Sequence, residues 1–262
     1  NDEIFDAAWD LIIVDEAHEG TQTELGGNVL NGLKGNNTKF LHLSGTPFNL
    51  IDDYKEEEIY TWDYVMEQKA KAEWDTIHLG DPNPYASLPK MNIFTYDLGK
   101  LINDFIDEDV AFNFKEFFRV DETDEFIHKK DVEKFINLIC KSNSENNYPF
   151  ATQEYRDNFR HSLWMVPGVK EARALSTLLN LHPVFSQFNI VNVAGDGDVD
   201  EDKDNEEALK KVNKAITDKP QDTYSITLSC GRLTTGVSVK AWTAVLMLSG
   251  SHNTSASSYM QT

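Results

Sequence analysis

Cysteine is scarce: Cys140 and Cys230 are the only two in 262 residues. They lie far apart without paired spacing, which excludes a disulfide framework and a cysteine zinc site and leaves ordinary buried or half-buried thiols. No apolar run approaches the length of a membrane span, and no basic-then-apolar leader opens the sequence, so no membrane association and a cytoplasmic location are expected. Positive charge is also short, with 24 Lys and Arg against 44 Asp and Glu and a net charge of -20. Phosphate contacts need Lys and Arg, so a nucleic-acid groove would have to be confined to one face or left to other domains. Several enzyme signatures are missing. There is no Gly-x-Ser-x-Gly elbow, His18-Glu19 lacks the second histidine of a zincin helix, and two scattered cysteines make no Cys-His nucleophile pair. No Gly-x-x-x-x-Gly-Lys-Ser/Thr phosphate loop and no compact metal-nuclease pattern occur either.

What is there centres on Leu11-Ile12-Ile13-Val14, followed at once by Asp15-Glu16-Ala17-His18. A short aliphatic run of this kind is expected to be a strand buried on both faces of a parallel sheet. In an open α/β sheet the carboxyl ends of the strands are where ligands bind. A carboxylate at that edge can hold a phosphate-bound Mg²⁺, and its neighbour can orient or deprotonate an attacking water. Asp15 and Glu16 can equally serve to cap a following helix, since acidic residues favour helix N-termini. Taken whole, the tetrapeptide Asp-Glu-Ala-His after the aliphatic run resembles the Walker B segment, motif II, of DEAH-type helicases and translocases.

A helix with glycines in it is expected within Thr21 to Leu33, and then a second strand, Lys39 to Leu43, ending in Ser44-Gly45-Thr46-Pro47. On its own this is an ordinary turn. One helix-sized gap after the acidic strand, it resembles motif III of the same helicases, which implies that the hydroxyls of Ser44 and Thr46 hydrogen-bond toward His18 and the acidic pair. From Ile51 to about Asp157 the βα alternation stops, which reads as an intervening subdomain and not as one loop. A charged, aromatic-rich helical stretch is expected over Asp52 to Asp75, a strand over Met91 to Tyr96, and helices near Phe112 to Phe118 and Val132 to Cys140. The aromatic residues here are expected mainly in a core, with base stacking as the other role open to them. Trp62-Asp63-Tyr64 and Asn83-Pro84-Tyr85 resemble the restriction-enzyme branch of these motors.

Alternation then resumes. Strands are expected at His161 to Val166, Phe188 to Val193, Thr223 to Leu228 and Thr243 to Leu248, with helices at Val169 to Leu181 and Asn205 to Ile216. The alternating acids from Asp196 to Asp202 resemble the start of a calcium loop, but Glu201 stands where the sharp-turn glycine belongs, and a solvated acidic loop is expected. Ser229-Cys230-Gly231-Arg232-Leu233-Thr234-Thr235-Gly236 offers two glycines, two threonines and an arginine whose N–H groups and hydroxyls could meet a phosphate. In its position it resembles motif V, with Ser238 where many helicases have an aspartate. Ser257-Ser258-Tyr259-Met260-Gln261 resembles the opening of motif VI, whose arginines would lie beyond Thr262.

The expected fold is therefore α/β: two RecA-like parallel-sheet lobes, the first incomplete, with a mainly helical intervening subdomain. Residues 1–50 would be the carboxyl-terminal part of the first lobe, 51–157 the subdomain and 158–262 the second lobe. The resemblance is to the superfamily-two motor, most like the motor subunits of type III or type I restriction enzymes, and it implies a fragment of an ATP-dependent translocase working on duplex DNA. It implies Mg²⁺ on Asp15, water activation by Glu16 and coupling through His18, with nucleotide or DNA contacts from Ser44, Thr46, Thr234, Thr235, Gly236 and Gln261. ATP and Mg²⁺ would be the cofactors of the intact parent, and methyltransferase or specificity subunits its partners. Without a phosphate loop and the motif VI arginines, the fragment itself is expected to be inactive. The competing expectation is a non-catalytic scaffold built on a degenerate motor lobe.

Overall fold

The computed structural model describes residues 2–18, 23–48, 50–96, 106–107, 111–142, 148–195, 201–234 and 237–250. The chain divides into two compact units, 1–96 and 97–262. The division falls inside the segment that the sequence assigns to an intervening subdomain. Both units are mixed α/β and both contain parallel strands.

In the first unit, helix α1 (Asp2–Asp6) leads into β1 (Leu11–Val14), helix α2 (Glu24–Leu33) and β2 (Lys39–His42). The strands pair in parallel with Leu11 opposite Lys39 and Val14 opposite His42. Thr23 caps α2 by accepting from the N–H of Gly26. That cap starts a helix which Gly26 and Gly27 would otherwise weaken. Ring atoms of Phe5 lie where a Cβ on Gly32 would be only 3.1 Å away, so α1 and α2 meet at a glycine. The expectation that β1 is buried on both faces is not met. Ile12 and Val14 are half-buried, whereas Leu11 and Ile13 are 51% and 56% exposed. The reason is the sheet's extent: among the described residues it has two strands, and burial of a parallel strand on both faces needs cover on both.

Residues 51–63 contain two single 3₁₀ turns, Ile51–Asp53 and Glu56–Glu58, in place of the single long helix expected from Asp52. Helix α3 (Tyr64–Ile77) begins only after Asp63, whose carboxylate accepts from the N–H of Met66. The chain then folds back along it. Gln68 donates to the carbonyl of Pro89, Asn83 to that of Lys71, and the N–H of Met91 to the Tyr64 hydroxyl. Trp74 stacks on His78 and presents its edge to Tyr85, which also approaches Trp62. The strand expected over Met91 to Tyr96 is absent. The N–H of Met91 goes to a side chain, and Ile93 and Phe94 are exposed, so nothing rewards extended pairing there. Nor are the aromatic residues of this stretch a core: Tyr60 and Trp62 are exposed.

In the second unit a short hairpin, β3 (Ile106–Asp107) with β4 (Ala111–Phe112), precedes α4 (Phe114–Phe117) and α5 (Lys129–Ile139). After α6 (Gln153–Asn158) come β5 (His161–Met165), α7 (Val169–Leu181), β6 (Asn189–Asn192), α8 (Glu201–Ile216), β7 (Ser225–Ser229) and β8 (Ala244–Met247). The strands form one parallel sheet in the order β6-β7-β5-β8. Every residue of β5 and β7 is buried, as expected for central parallel strands covered on both faces. On one face Trp164, Ile226 and Leu228 pack with Ala172, Leu175 and Leu179 of α7, with Phe117 of α4 and Phe118 just after it, and with Phe135 and Ile136 of α5. On the other face Val193 packs with Ala208, Val212 and Ile216 of α8 and with Leu233. The phenylalanines of 112–135 are thus core, and truncating one such ring to alanine costs about 3–5 kcal/mol.

Two polar groups in this sheet generate predictions. Thr227 is fully buried between Leu163 and Val191, and its hydroxyl has no hydrogen-bond partner among the described residues. Thr227→Val removes that unmet need at constant shape and should raise unfolding stability by about 1 kcal/mol in urea titrations; a loss of stability would mean that the hydroxyl is in fact partnered. His161 is buried between Ser225 Oγ (2.8 Å from Nδ1) and the Pro220 carbonyl (2.8 Å from Nε2). A carbonyl only accepts, so the proton sits on Nε2 and Nδ1 accepts from Ser225. Burial holds the imidazole pKa below its usual 6.5. The unfolded chain therefore takes up the proton first as pH falls, and stability present above about pH 6.5 declines toward the lower folded value. Urea midpoints measured from about pH 7.5 to 5.5 should show this decline, and His161→Gln should flatten it.

Candidate functional site

The acidic tetrapeptide sits at the carboxyl end of β1, beside the carboxyl end of β2, because the two strands run parallel in register. The ladder continues past them: the N–H of Leu43 donates to the Val14 carbonyl and the N–H of Ala17 to the Leu43 carbonyl. Ala17 is completely buried and pins the turn, while Asp15 and Glu16 stay exposed. Asp15 Oδ1 accepts the N–H of Glu16 at 3.0 Å, and Glu16 adopts a left-handed backbone with φ 47°. A non-glycine residue there is strained by about 1–3 kcal/mol, and such strain collects at functional turns.

His18 closes the arrangement. Its Nδ1 lies 2.9 Å from Ser44 Oγ and 3.3 Å from Glu16 Oε2. A carboxylate only accepts, so Nδ1 carries a proton shared between Glu16 and Ser44, an assignment made from the partners. Ser44 Oγ also accepts the N–H of Thr46 at 3.1 Å, and Thr46 is buried. The structure thus brings Glu16, His18 and Ser44 together and sets Thr46 behind them. The geometry links the turn after β1 to the turn after β2 through one imidazole.

For a cation, the donor set is spare. Among the described residues no three His, Cys, Asp or Glu side chains converge as a metal cage. A single exposed carboxylate at a strand end does not fit a metal held by protein alone. It does fit Mg²⁺ held mostly by phosphate oxygens and water, with Asp15 as the protein's contribution.

In the second unit the loop after β7 carries the other candidates. Thr234 donates its hydroxyl to the Gly231 carbonyl at 2.7 Å, closing its own turn. Ser229 Oγ donates to the Arg232 carbonyl at 2.6 Å and accepts the N–H of Gly231 at 3.2 Å. Gly231 and Leu233 are both left-handed, with φ 141° and 62°. Thr235, Gly236 and Gln261 lie outside the described residues, as do Asp196 to Asp200 of the acidic run; from Glu201 the chain is helical. Sequence reasoning missed Gly195 and Lys211, which with Glu207, Arg232 and Asn192 line a concavity at the carboxyl ends of β6 and β7. Only the crossover through α8 makes these positions neighbours, although a glycine soon after a strand is the kind of signal that marks close approach.

The cysteines take no part in this chemistry. Burial pushes the Cys140 thiol up to about 12, and burial likewise raises Cys230. A thiol held protonated is a poor nucleophile and a poor metal ligand.

The strained turn yields a stability test. Glu16→Gly should raise the thermal stability of the chain by about 1 kcal/mol, while Glu16→Gln should leave it within about 0.5 kcal/mol, since the Glu16 carboxylate is itself exposed and its pairing contributes little. A destabilised glycine variant in thermal melts would show that position 16 is not strained.

No family model matches the chain, and no solved structure matches it at a significant level. One curated protein does: the chain is 29% identical over 251 residues to a protein of Mycoplasma pneumoniae that carries the name of a type II restriction enzyme and methyltransferase C-terminus. The match takes in 84% of this chain, and the chain spans about one third (33%) of that protein's length. The similarity supports a relation to restriction–modification proteins.

Proposed function

We propose that this chain is part of the motor of a restriction–modification enzyme, which couples ATP hydrolysis to movement on duplex DNA. The observation that carries the reading is the contact of His18 with both Glu16 and Ser44, at the carboxyl end of a parallel strand pair. A capping role for the acidic pair would not need an imidazole joining two strand ends. The turn order, an acidic pair after one strand and Ser-Gly-Thr-Pro after the next, supports the helicase resemblance, and the name of the Mycoplasma relative supports the restriction–modification setting.

In this reading Asp15 would hold Mg²⁺, which would supply charge neutralisation at the phosphates. Glu16 accepts a hydrogen bond from the attacking water and turns one lone pair toward phosphorus. His18 holds Glu16 in that orientation, and its second partner, Ser44, relays any shift of the carboxylate to the turn after β2. Thr234, Thr235 and Gly236 meet nucleotide or DNA from the second lobe, and Gln261 opens the segment bearing the arginines. The phosphate-loop lysine would come from elsewhere in the parent, so isolated residues 1–262 should not hydrolyse ATP. Both units are then RecA-like lobes, and methyltransferase or specificity subunits are the natural partners.

One observation favours the scaffold reading. The chain carries a net charge of -20, a poor match to a nucleic-acid track. DNA-stimulated ATP hydrolysis by the full-length protein separates the two. The motor reading expects hydrolysis that Glu16→Gln lowers by about 10²–10⁴-fold with little change in stability. Hydrolysis that survives this substitution removes Glu16 from its role, and a full-length protein with no hydrolysis on any DNA leaves the scaffold.

A further inference from the structure

The start of helix α3 pairs an open indole with a carboxylate. Asp63 is the cap, accepting the N–H of Met66 at 2.8 Å, so Trp62 stands just outside the helix and Glu67 is its fourth residue. Those two positions commonly meet at a helix start, where an apolar residue before the cap packs on an apolar residue one turn in. Here the inner position is acidic. Glu67 is half-buried, and no hydrogen bond or ion pair reaches its side chain among the described residues. A carboxylate set partly out of water gains from a cation beside it.

The ring is held on one side and open on the rest. Trp62 is 48% exposed, and Tyr85 approaches it with 6.2 Å between centroids. Tyr85 is itself fixed: its N–H goes to Asn83 Oδ1 at 2.9 Å, Trp74 meets it edge-on at 5.8 Å, and the Asn83 amide donates to the Lys71 carbonyl at 3.0 Å. Val65 and Met66 next to this ring are exposed, and α3 buries none of its residues. The surroundings are acidic. Residues 51–96 carry ten Asp and Glu against four Lys, and residues 1–96 contain no arginine. One of the four lysines, Lys71, commits its ammonium to the Leu88 carbonyl at 2.5 Å.

We propose that Trp62 and Glu67 form a cation site that takes an arginine side chain of a partner protein. A guanidinium stacks on the open indole face, and its N–H fork turns toward the carboxylate. Lysine would meet the charge but presents no plane to stack, so arginine is preferred. A nucleobase also stacks on a bare indole, yet it would carry its phosphates into an acidic segment with too few lysines to neutralise them. No nucleotide or DNA contact enters the site, so it stands apart from the motor reading.

The test uses the full-length protein and three labelled probes, read by fluorescence anisotropy at about 50 mM salt. The probes are a peptide alternating arginine with glycine, its lysine counterpart and oligothymidylate. The arginine peptide should bind more tightly than the lysine peptide. Trp62→Ala and Glu67→Gln should each weaken it roughly five- to tenfold, and Trp62→Phe should weaken it less. Glu73→Gln removes the same charge from an exposed position farther along α3 and should change nothing. Should Trp62→Ala fail to fold by circular dichroism, Glu67→Gln decides alone, since it keeps the side chain's size and helix propensity. Equal losses from Glu67→Gln and Glu73→Gln would reduce the binding to the general field of an acidic protein and overturn the site, as would an arginine peptide that does not bind the unaltered protein. Oligothymidylate binding that Trp62→Ala abolishes, with the arginine peptide unaffected, would replace the site with a base-stacking platform.

Discussion

Parallel strand pairing is the constraint on which both units depend. Strands that run the same way must deliver their carboxyl ends to one edge, whatever the side chains are. In the first unit that rule sets Asp15 and Glu16 beside Ser44 and Thr46, and His18 then needs only one imidazole's reach to join them. In the second unit it sets the loops after β6 and β7 side by side, and one arginine reaches from one to the other. Neither cluster is local in sequence, since Ser44 is 26 residues from His18 and Arg232 is 39 residues from Val193. The hydrogen-bond ladder supplies the alignment, and the hydrophobic layers around β5 and β7 keep it from slipping.

The same edges hold much of the backbone strain. Among described non-glycine residues, Glu16, Asp124, Thr217 and Leu233 have positive φ. Glu16 and Leu233 lie at strand carboxyl ends, and each has a buried anchor: Ala17 beside Glu16, and the leucine side chain itself. Burying a leucine contributes about 1.5–3 kcal/mol, which is the size of the strain it offsets. Thr217 follows the end of α8, where a left-handed residue is a common way to stop a helix. Its strain needs no functional account; that at Glu16 and Leu233 is harder to dismiss as punctuation.

What the sequence made legible follows from range. Helix α7 reads correctly to the residue, Val169 to Leu181, because Ala172, Leu175 and Leu179 repeat on one face and Gly168 opens it. Strands β5 and β7 read within two residues of their observed bounds. The approach of Ser44 to His18 was legible because the order of the two turns along the chain carries the information. Three things were not. Exposure of Leu11 and Ile13 depends on how many strands and helices flank β1, which a four-residue window cannot report. Residues Met91–Tyr96 are of strand-forming types but form no strand, so propensity misleads there. Gly195, Lys211 and Arg232 meet only through the crossover, and no spacing rule links them.

The acidic balance bears on how this chain could hold a polyanion. Among the described residues most ion pairs are local: Arg119 with Glu116, Lys129 with Glu125, Arg160 with Asp157, Lys210 with Glu206 and Lys211 with Glu207, each three or four residues apart. Such pairs contribute little to stability, yet each tethers a cation beside a carboxylate. With 44 acids to 24 bases, the long-range field repels a phosphate chain and salt weakens that repulsion. Attraction therefore has to come from cations placed at short range by rigid backbone, where contact outweighs the screened field.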